Sequence, residues 1–136
     1  MQVRDVMTPS VVTVSREDSA ETAAKIMGRH GIGAVPVVSG EEICGILTDR
    51  DIVLRCISNG KDPKNCKAEE IMTSSVVKVS PDASVDQLAK EMCRNQIRRV
   101  PVVQEGHLVG MASLCDLSRN ACDRDAVQAL FDISMP

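Results

Sequence analysis

The sequence predicts an α/β (α+β) fold built from two β-α-β-β-α repeats related by a pseudo-twofold axis, and three observations point to it. Residues 6–54 recur as residues 71–119 at an offset of 65 with no gap, and 19 of the 49 aligned pairs are identical. Within each copy, short β-branched runs alternate with stretches whose apolar residues fall at helical spacing. Both copies also end in the same turn, Gly45-Ile46-Leu47-Thr48 running to Asp51 and Gly110-Met111-Ala112-Ser113 running to Asp116. The period is longer than the roughly 20–50 residues of solenoid repeats. A unit of about 50 residues buries too little surface to stand alone. The copies are therefore expected to pack as one domain, with clefts where the halves meet.

Taken in order, the first repeat opens with a turn of helix around Val3–Met7 and an extended Val11-Val12-Thr13-Val14. Ser19 then starts a helix to about His30, with Ala20, Ala23, Ala24 and Met27 on one face. Its twin begins at Ser84, where Ser84-Val85-Asp86-Gln87 has the pattern of a capping box and Val85, Leu88, Ala89 and Met92 form the stripe. Two strands follow, Ala34–Val38 and Ile43–Leu47, joined by Ser39-Gly40-Glu41-Glu42. Their counterparts are Arg99–Val103 and Leu108–Ala112. Val-Pro-Val-Val places a proline near each strand start, where a missing amide donor is tolerated. Second helices run from Arg50 to about Ile57 and from Cys115 to about Ala121. Residues 58–67 are rich in turn formers and read as the inter-repeat linker. The domain division is thus 1–61 for repeat one with its N-terminal segment and 62–122 for repeat two with the linker. Residues 123–136 form a C-terminal tail with a short helix from Arg124 to Phe131, which carries the sole aromatic side chain.

Composition removes several classes of function. The net charge of −3 is spread evenly, with 8 basic and 9 acidic side chains in residues 1–66 and 8 and 10 in residues 67–136. Neither half offers the basic face that nucleic-acid binding requires. One Phe, no Tyr and no Trp leave nothing on which to stack bases. There is no apolar run of about 18 residues to span a membrane. Met1-Gln2-Val3-Arg4-Asp5 lacks the layout of a signal peptide, so a cytoplasmic protein is expected. The six cysteines form no Cys-x-x-Cys pair and none coincides between repeats. They read as scattered reduced thiols, with no metal site. His30 and His107 read as surface residues, and no nucleophile, metal or phosphate-loop motif is present, so no enzyme activity is expected.

The candidate chemistry lies in the two turns. A hydroxyl residue leaves a strand, and three positions later an Asp falls in the first turn of a helix. One reading is helix capping, in which the hydroxyl accepts an amide hydrogen bond and the Asp complements the positive helix end. The other is a nucleotide site. Free amides at a helix start favour an anion, the hydroxyl can meet phosphate, and the carboxylate can accept both hydroxyls of a ribose.

The order Met-Thr, Val-Val-x-Val, an Ala-containing helix with Met, Val-Pro-Val-Val and Gly-φ-φ-Thr/Ser-x-x-Asp (φ apolar) resembles the cystathionine-β-synthase (CBS) domain. It occurs here as a tandem pair over about residues 3–121, and Leu47-Thr48-Asp49-Arg50-Asp51 is highly typical of the family. The resemblance implies a Bateman module in a stand-alone CBS domain-containing protein, a regulatory sensor without catalysis. No cofactor is required. AMP, ADP, ATP or S-adenosylmethionine is the candidate ligand in the two clefts. Carried over by motif, Thr48 and Asp51 are the phosphate-side hydroxyl and ribose carboxylate of one cleft, and Ser113 and Asp116 those of the other. The positions before Val-Pro, often basic in nucleotide-binding members, are Arg98 and Arg99 in repeat two but Gly33 and Ala34 in repeat one. A guanidinium is the preferred phosphate partner, so the clefts are expected to differ in phosphate affinity. Strand alternation sends Arg98 and Arg99 to opposite faces. The family also implies a homodimer through apolar helix faces around Ala20–Met27 and Val85–Met92 and through Ile52, Val53, Ile57 and Leu117. An unidentified protein partner would receive the signal. The alternative is a structural or interaction homodimer with no physiological nucleotide.

Overall fold

The computed structural model describes residues 1–120. They form two compact units, Val12–Val76 and the combination of Met1–Val11 with the chain from Val77 on. Spatial units and sequence repeats therefore cut the chain differently. The leading segment of each repeat packs with the strands of the other.

In the Val12–Val76 unit, β1 (Val14–Ser15) pairs in parallel with β2 (Ala34–Ser39), which pairs antiparallel with β3 (Glu42–Thr48). The extended run expected from Val11 narrows to two residues, because the β1–β2 register matches only Val14 with Val37 and Ser15 with Val38. Between β1 and β2 runs α2 (Ala20–His30). Ser19 caps it by accepting the Thr22 amide at 3.1 Å, and Gly31 ends it at φ 64°, a left-handed conformation that glycine adopts without a Cβ penalty. Ala20, Ala23 and Met27 turn into a core with Val35, Val37, Leu47 and Ile71. After β3 come α3 (Asp49–Asp51), a π-helical stretch Ile52–Ile57, and α4 (Ala68–Ile71). The linker is no loose tether: the carbonyls of Pro63 and Cys66 accept the Glu21 and Ala20 amides at 3.0 and 2.7 Å, which ties residues 58–67 to the start of α2.

The other unit repeats the plan. α1 (Val3–Val6) and α5 (Val85–Asn95) pack with the antiparallel pair β4 (Arg99–Gln104) and β5 (His107–Ser113), followed by α6 (Leu114–Asn120). The counterpart of β1 shrinks to a single parallel bridge, Val79 to Val102. Ser84 accepts the Gln87 amide at 3.0 Å, but the Gln87 side chain turns to Glu91 Oε1 at 3.1 Å, so the expected capping box is reduced to its hydroxyl cap. Leu88 and Met92 are fully buried, each worth roughly 1.5–3 kcal/mol. The expected tail helix from Arg124 to Phe131 lies outside the described residues.

Two repeated residues have matching explanations. Pro36 faces Ile46 and Pro101 faces Met111 in the hairpin registers. The amides of Ile46 and Met111 bond instead to the carbonyls of Thr73 and Thr8, both at 2.9 Å. The prolines thus occupy pairs that exchange no hydrogen bond, and the missing N–H costs the hairpins nothing. Gly45 and Gly110 lie where those Met-Thr segments cross. A Cβ on Gly45 would stand 2.5 Å from Met72 Sδ and 2.7 Å from the Thr73 carbonyl oxygen, and one on Gly110 2.5 Å from Met7 Sδ.

The structure corrects the surfaces expected to mediate association. Ile52 and Leu117 are buried, and so are Ala20, Ala23, Met27, Val85, Leu88, Ala89 and Met92. Apart from Ala24, which is exposed, the helical stripes point into their own cores. What remains outside is Val53, Leu54 and Ile57 on the π-helical stretch, 47–55% exposed.

Candidate functional site

Each hairpin ends by handing its last hydroxyl residue to a helix. Thr48 has extended dihedrals (φ −112°, ψ 162°), so its side chain can turn back over the first helical residues. Its Oγ1 accepts the Asp51 amide at 3.0 Å, and Asp51 Oδ2 accepts the Thr48 amide at 3.0 Å. Ser113 and Asp116 repeat this reciprocal arrangement at 3.1 and 3.0 Å. Both Thr/Ser-x-x-Asp motifs are therefore complete capping boxes.

The strand that enters each hairpin lies alongside. Ala34 is the register partner of Thr48, and Arg99 that of Ser113. The carbonyl of Gly33 accepts the Asp49 amide at 2.9 Å, and that of Arg98 accepts the Leu114 amide at 2.8 Å. The six candidate residues thus fall into two sets. Thr48 and Asp51 meet in the Val12–Val76 unit; in the other, Ser113 and Asp116 meet, with the backbone of Arg98 and Arg99 on the strand alongside. Arg98 and Arg99 are exposed, and among the described residues neither guanidinium has a hydrogen-bond or ion-pair partner.

The helix start after β3 differs from the sequence expectation of free amides. In the Val12–Val76 unit the first-turn amides are all taken: Asp49 by Gly33, Arg50 by the Asp49 carboxylate at 2.8 Å, and Asp51 by Thr48. This capping leaves no open row of donors for phosphate there.

Three charged residues that motif reasoning passed over complete the sites. Arg55 donates to the carbonyls of Ile71 and Met72, both at 3.1 Å, while its Nε stands 3.8 Å from Asp51 Oδ1. Arg119 bonds Asp116 Oδ1 at 2.9 Å, and Asp116 is only 6% exposed. The signal was available in the sequence as a basic residue four or three positions after each Asp, the spacing of neighbours on a helix. The third is Asp49, whose Oδ2 lies 3.1 Å from where a Cβ on Gly33 would stand. Its counterpart in the second repeat is Leu114.

Elsewhere the chemistry is quiet. Burial, then the neighbouring Cys56 thiol, pushes the Cys66 thiol up to about 11, so it holds its proton at neutral pH. Among the described residues no group of three or more His, Cys, Asp or Glu side chains is placed to share a metal ion. No helix of the described residues is long and apolar enough to cross a membrane.

A tandem α/β repeat with two symmetric hydroxyl–carboxylate turns defines a class of regulatory modules. The CBS domain family model matches residues 3–57 and 68–122. The chain belongs to the CBS domain family, as a tandem pair. It is 38% identical to the CBS domain-containing protein YhcV of Bacillus subtilis, over 97% of this chain and 94% of that protein. A crystal structure of Hypoxic Response Protein I with two coordinated zinc ions superposes with a TM-score of 0.83 at 35% identity, covering 88% of this chain and 98% of that one. The CBS domain pair of protein MJ0100, in complex with 5'-methylthioadenosine and S-adenosyl-L-methionine, superposes with a TM-score of 0.78 at 33% identity, over 88% and 98% of the two chains.

Proposed function

We propose that this CBS pair is a non-catalytic sensor that binds an adenosyl ligand, AMP, ADP, ATP or S-adenosylmethionine, and acts as a homodimer on a protein partner. The observation that carries the reading is the repeated hydroxyl–carboxylate pair. In each, capping uses Oδ2, and Oδ1 stands beside an arginine, 3.8 Å from Arg55 Nε for Asp51 and 2.9 Å from Arg119 Nη2 for Asp116. Adjacent ribose hydroxyls are donors that suit such a carboxylate. The adenosyl ligands held by the MJ0100 pair support the same ligand class.

A second reading is a structural or interaction module without a nucleotide. It is favoured by the capping boxes themselves, which account for both motifs with no ligand, and by the exposed Val53, Leu54 and Ile57. Calorimetry decides between the two. Binding of at least one of the four ligands at micromolar level, about −8 kcal/mol, supports the sensor. With no Trp or Tyr in the chain, bound adenine would also dominate the absorbance near ~260 nm. Replacing Arg98 and Arg99 together should weaken AMP and spare adenosine. Absence of binding at millimolar concentration of every ligand would leave the interaction module.

A further inference from the structure

The two sites carry different charge. Around Thr48 and Asp51 the nearby charged side chains are Asp49, Asp51, Arg50 and Arg55, two acidic and two basic. Among the described residues around Ser113 and Asp116 they are Asp116 and Arg119, with Arg98 and Arg99 on the strand alongside, which alternation turns to opposite faces, so basic side chains outnumber the one carboxylate. The difference centres on one pair of repeat positions. In the first repeat Asp49 folds its carboxylate over Gly33, anchored by the Arg50 amide at 2.8 Å, and leaves Oδ2 3.1 Å from the point where a side chain on Gly33 would begin. In the second repeat those positions hold Leu114 and Arg98, joined by the same backbone hydrogen bond. An anchored carboxylate thus stands at the place where the other unit has the root of a guanidinium-bearing side chain.

We infer that the sites select adenosyl ligands of opposite charge. Asp49 is the specificity residue that disfavours phosphate at the Asp51 site, which takes neutral or cationic adenosyl ligands, while the Asp116 site takes phosphorylated ones. The inference rests on the adenosyl-binding reading above. Asp49 acts on the ligand tail alone, since Thr48 and Asp51 provide the ribose contacts of that reading. Its carboxylate is exposed, so the repulsion is screened. It amounts to roughly a 3–10-fold loss of affinity for a phosphorylated ligand relative to adenosine.

The test is a titration of the full ¹⁵N-labelled chain with AMP and with adenosine, reading the Thr48 and Ser113 amides as separate reporters of the two sites. For wild type, AMP should move the Ser113 amide at lower concentration than the Thr48 amide, with adenosine showing no such preference. Asn keeps the oxygen that accepts the Arg50 amide and removes the charge. Asp49→Asn should therefore improve AMP at the Thr48 reporter by roughly 3–10-fold and leave adenosine unchanged. Asp49→Leu, which copies the second repeat, should do the same with the anchor lost. If the AMP-to-adenosine ratio at Thr48 is the same in wild type and both variants, the assignment of Asp49 is overturned while the adenosyl site stands. If neither ligand moves either amide at millimolar concentration, the adenosyl reading itself fails, and this inference with it.

Discussion

Replacing Asp116 by alanine separates the two roles that its carboxylate can hold. The side chain is nearly buried, accepts the Ser113 amide at 3.0 Å and takes Arg119 Nη2 on its other oxygen at 2.9 Å. Loss of the reciprocal cap costs about 0.5–2 kcal/mol, because the Ser113 amide, at the part-buried end of β5, loses its acceptor. The Arg119 guanidinium is 72% exposed, so that ion pair is largely screened and adds at most about 0.5 kcal/mol. These two contacts together amount to about 2 kcal/mol, or a fall of about 5–10 °C in Tm for a chain of this size, measurable by urea and thermal unfolding. Asp116→Asn retains an acceptor for the Ser113 amide and should lose less than half as much stability. A ribose diol, in contrast, needs the charged carboxylate. Both variants should therefore weaken adenosine at this site, by about 1–3 kcal/mol, although only one is substantially destabilised. Full adenosine affinity in Asp116→Asn would refute the ribose role and leave the residue as a cap. Unchanged stability in Asp116→Ala would refute the capping energetics.

Three further expectations follow from the packing. Gly110→Ala drives a methyl group into Met7 Sδ and close to the Thr8 carbonyl oxygen. It should destabilise by about 1–3 kcal/mol in chemical denaturation, whereas Gly40→Ala, with open space but φ 66°, should lose only the smaller left-handed backbone cost. If the exposed Val53, Leu54 and Ile57 patch joins two copies, light scattering should give twice the 14.7 kDa chain mass, and Val53→Glu should return the monomer with its helical signal intact. A wild-type monomer at tens of micromolar, or a dimer that survives Val53→Glu, would remove that face from the assembly. For Cys66, the unfolded thiol ionises near 9.0 and the folded one at about 11. The folded state therefore binds more protons between these values, and the contribution is complete below pH 9 and lost as pH rises towards 11. Wild type should lose about 2 kcal/mol more than Cys66→Val over that interval in urea titrations; parallel losses would show that the thiol is solvated in the folded chain.

The repeat and its elements were legible in the sequence because they depend on local chemistry. An exact offset of 65, the hydroxyl caps Ser19 and Ser84, the apolar spacing of α2 and α5 and the paired Val-Pro-Val-Val strands are all encoded within a few residues of where they act. So were the hydroxyl–carboxylate turns, since Thr48 with Asp51 and Ser113 with Asp116 need only a strand end and one helical turn to meet. Three-dimensional packing decided the rest. The direction of the apolar stripes could not be read from periodicity, which reports a face but not what covers it. Only the fold showed that Leu88 and Met92 are interior while Val53 and Ile57 are not. The grouping of Thr8 with Met111 and Thr73 with Ile46 joins positions far apart in the chain, and no local pattern ranks such pairings. Gly45 and Gly110, unremarkable as glycines in strands, acquired their reason only when the crossing Met-Thr segments came within 3 Å of their missing side chains. The carboxylate of Asp49 over Gly33 belongs to the same category. Both residues are plain in the sequence, but the chain must close its hairpin before one stands over the other.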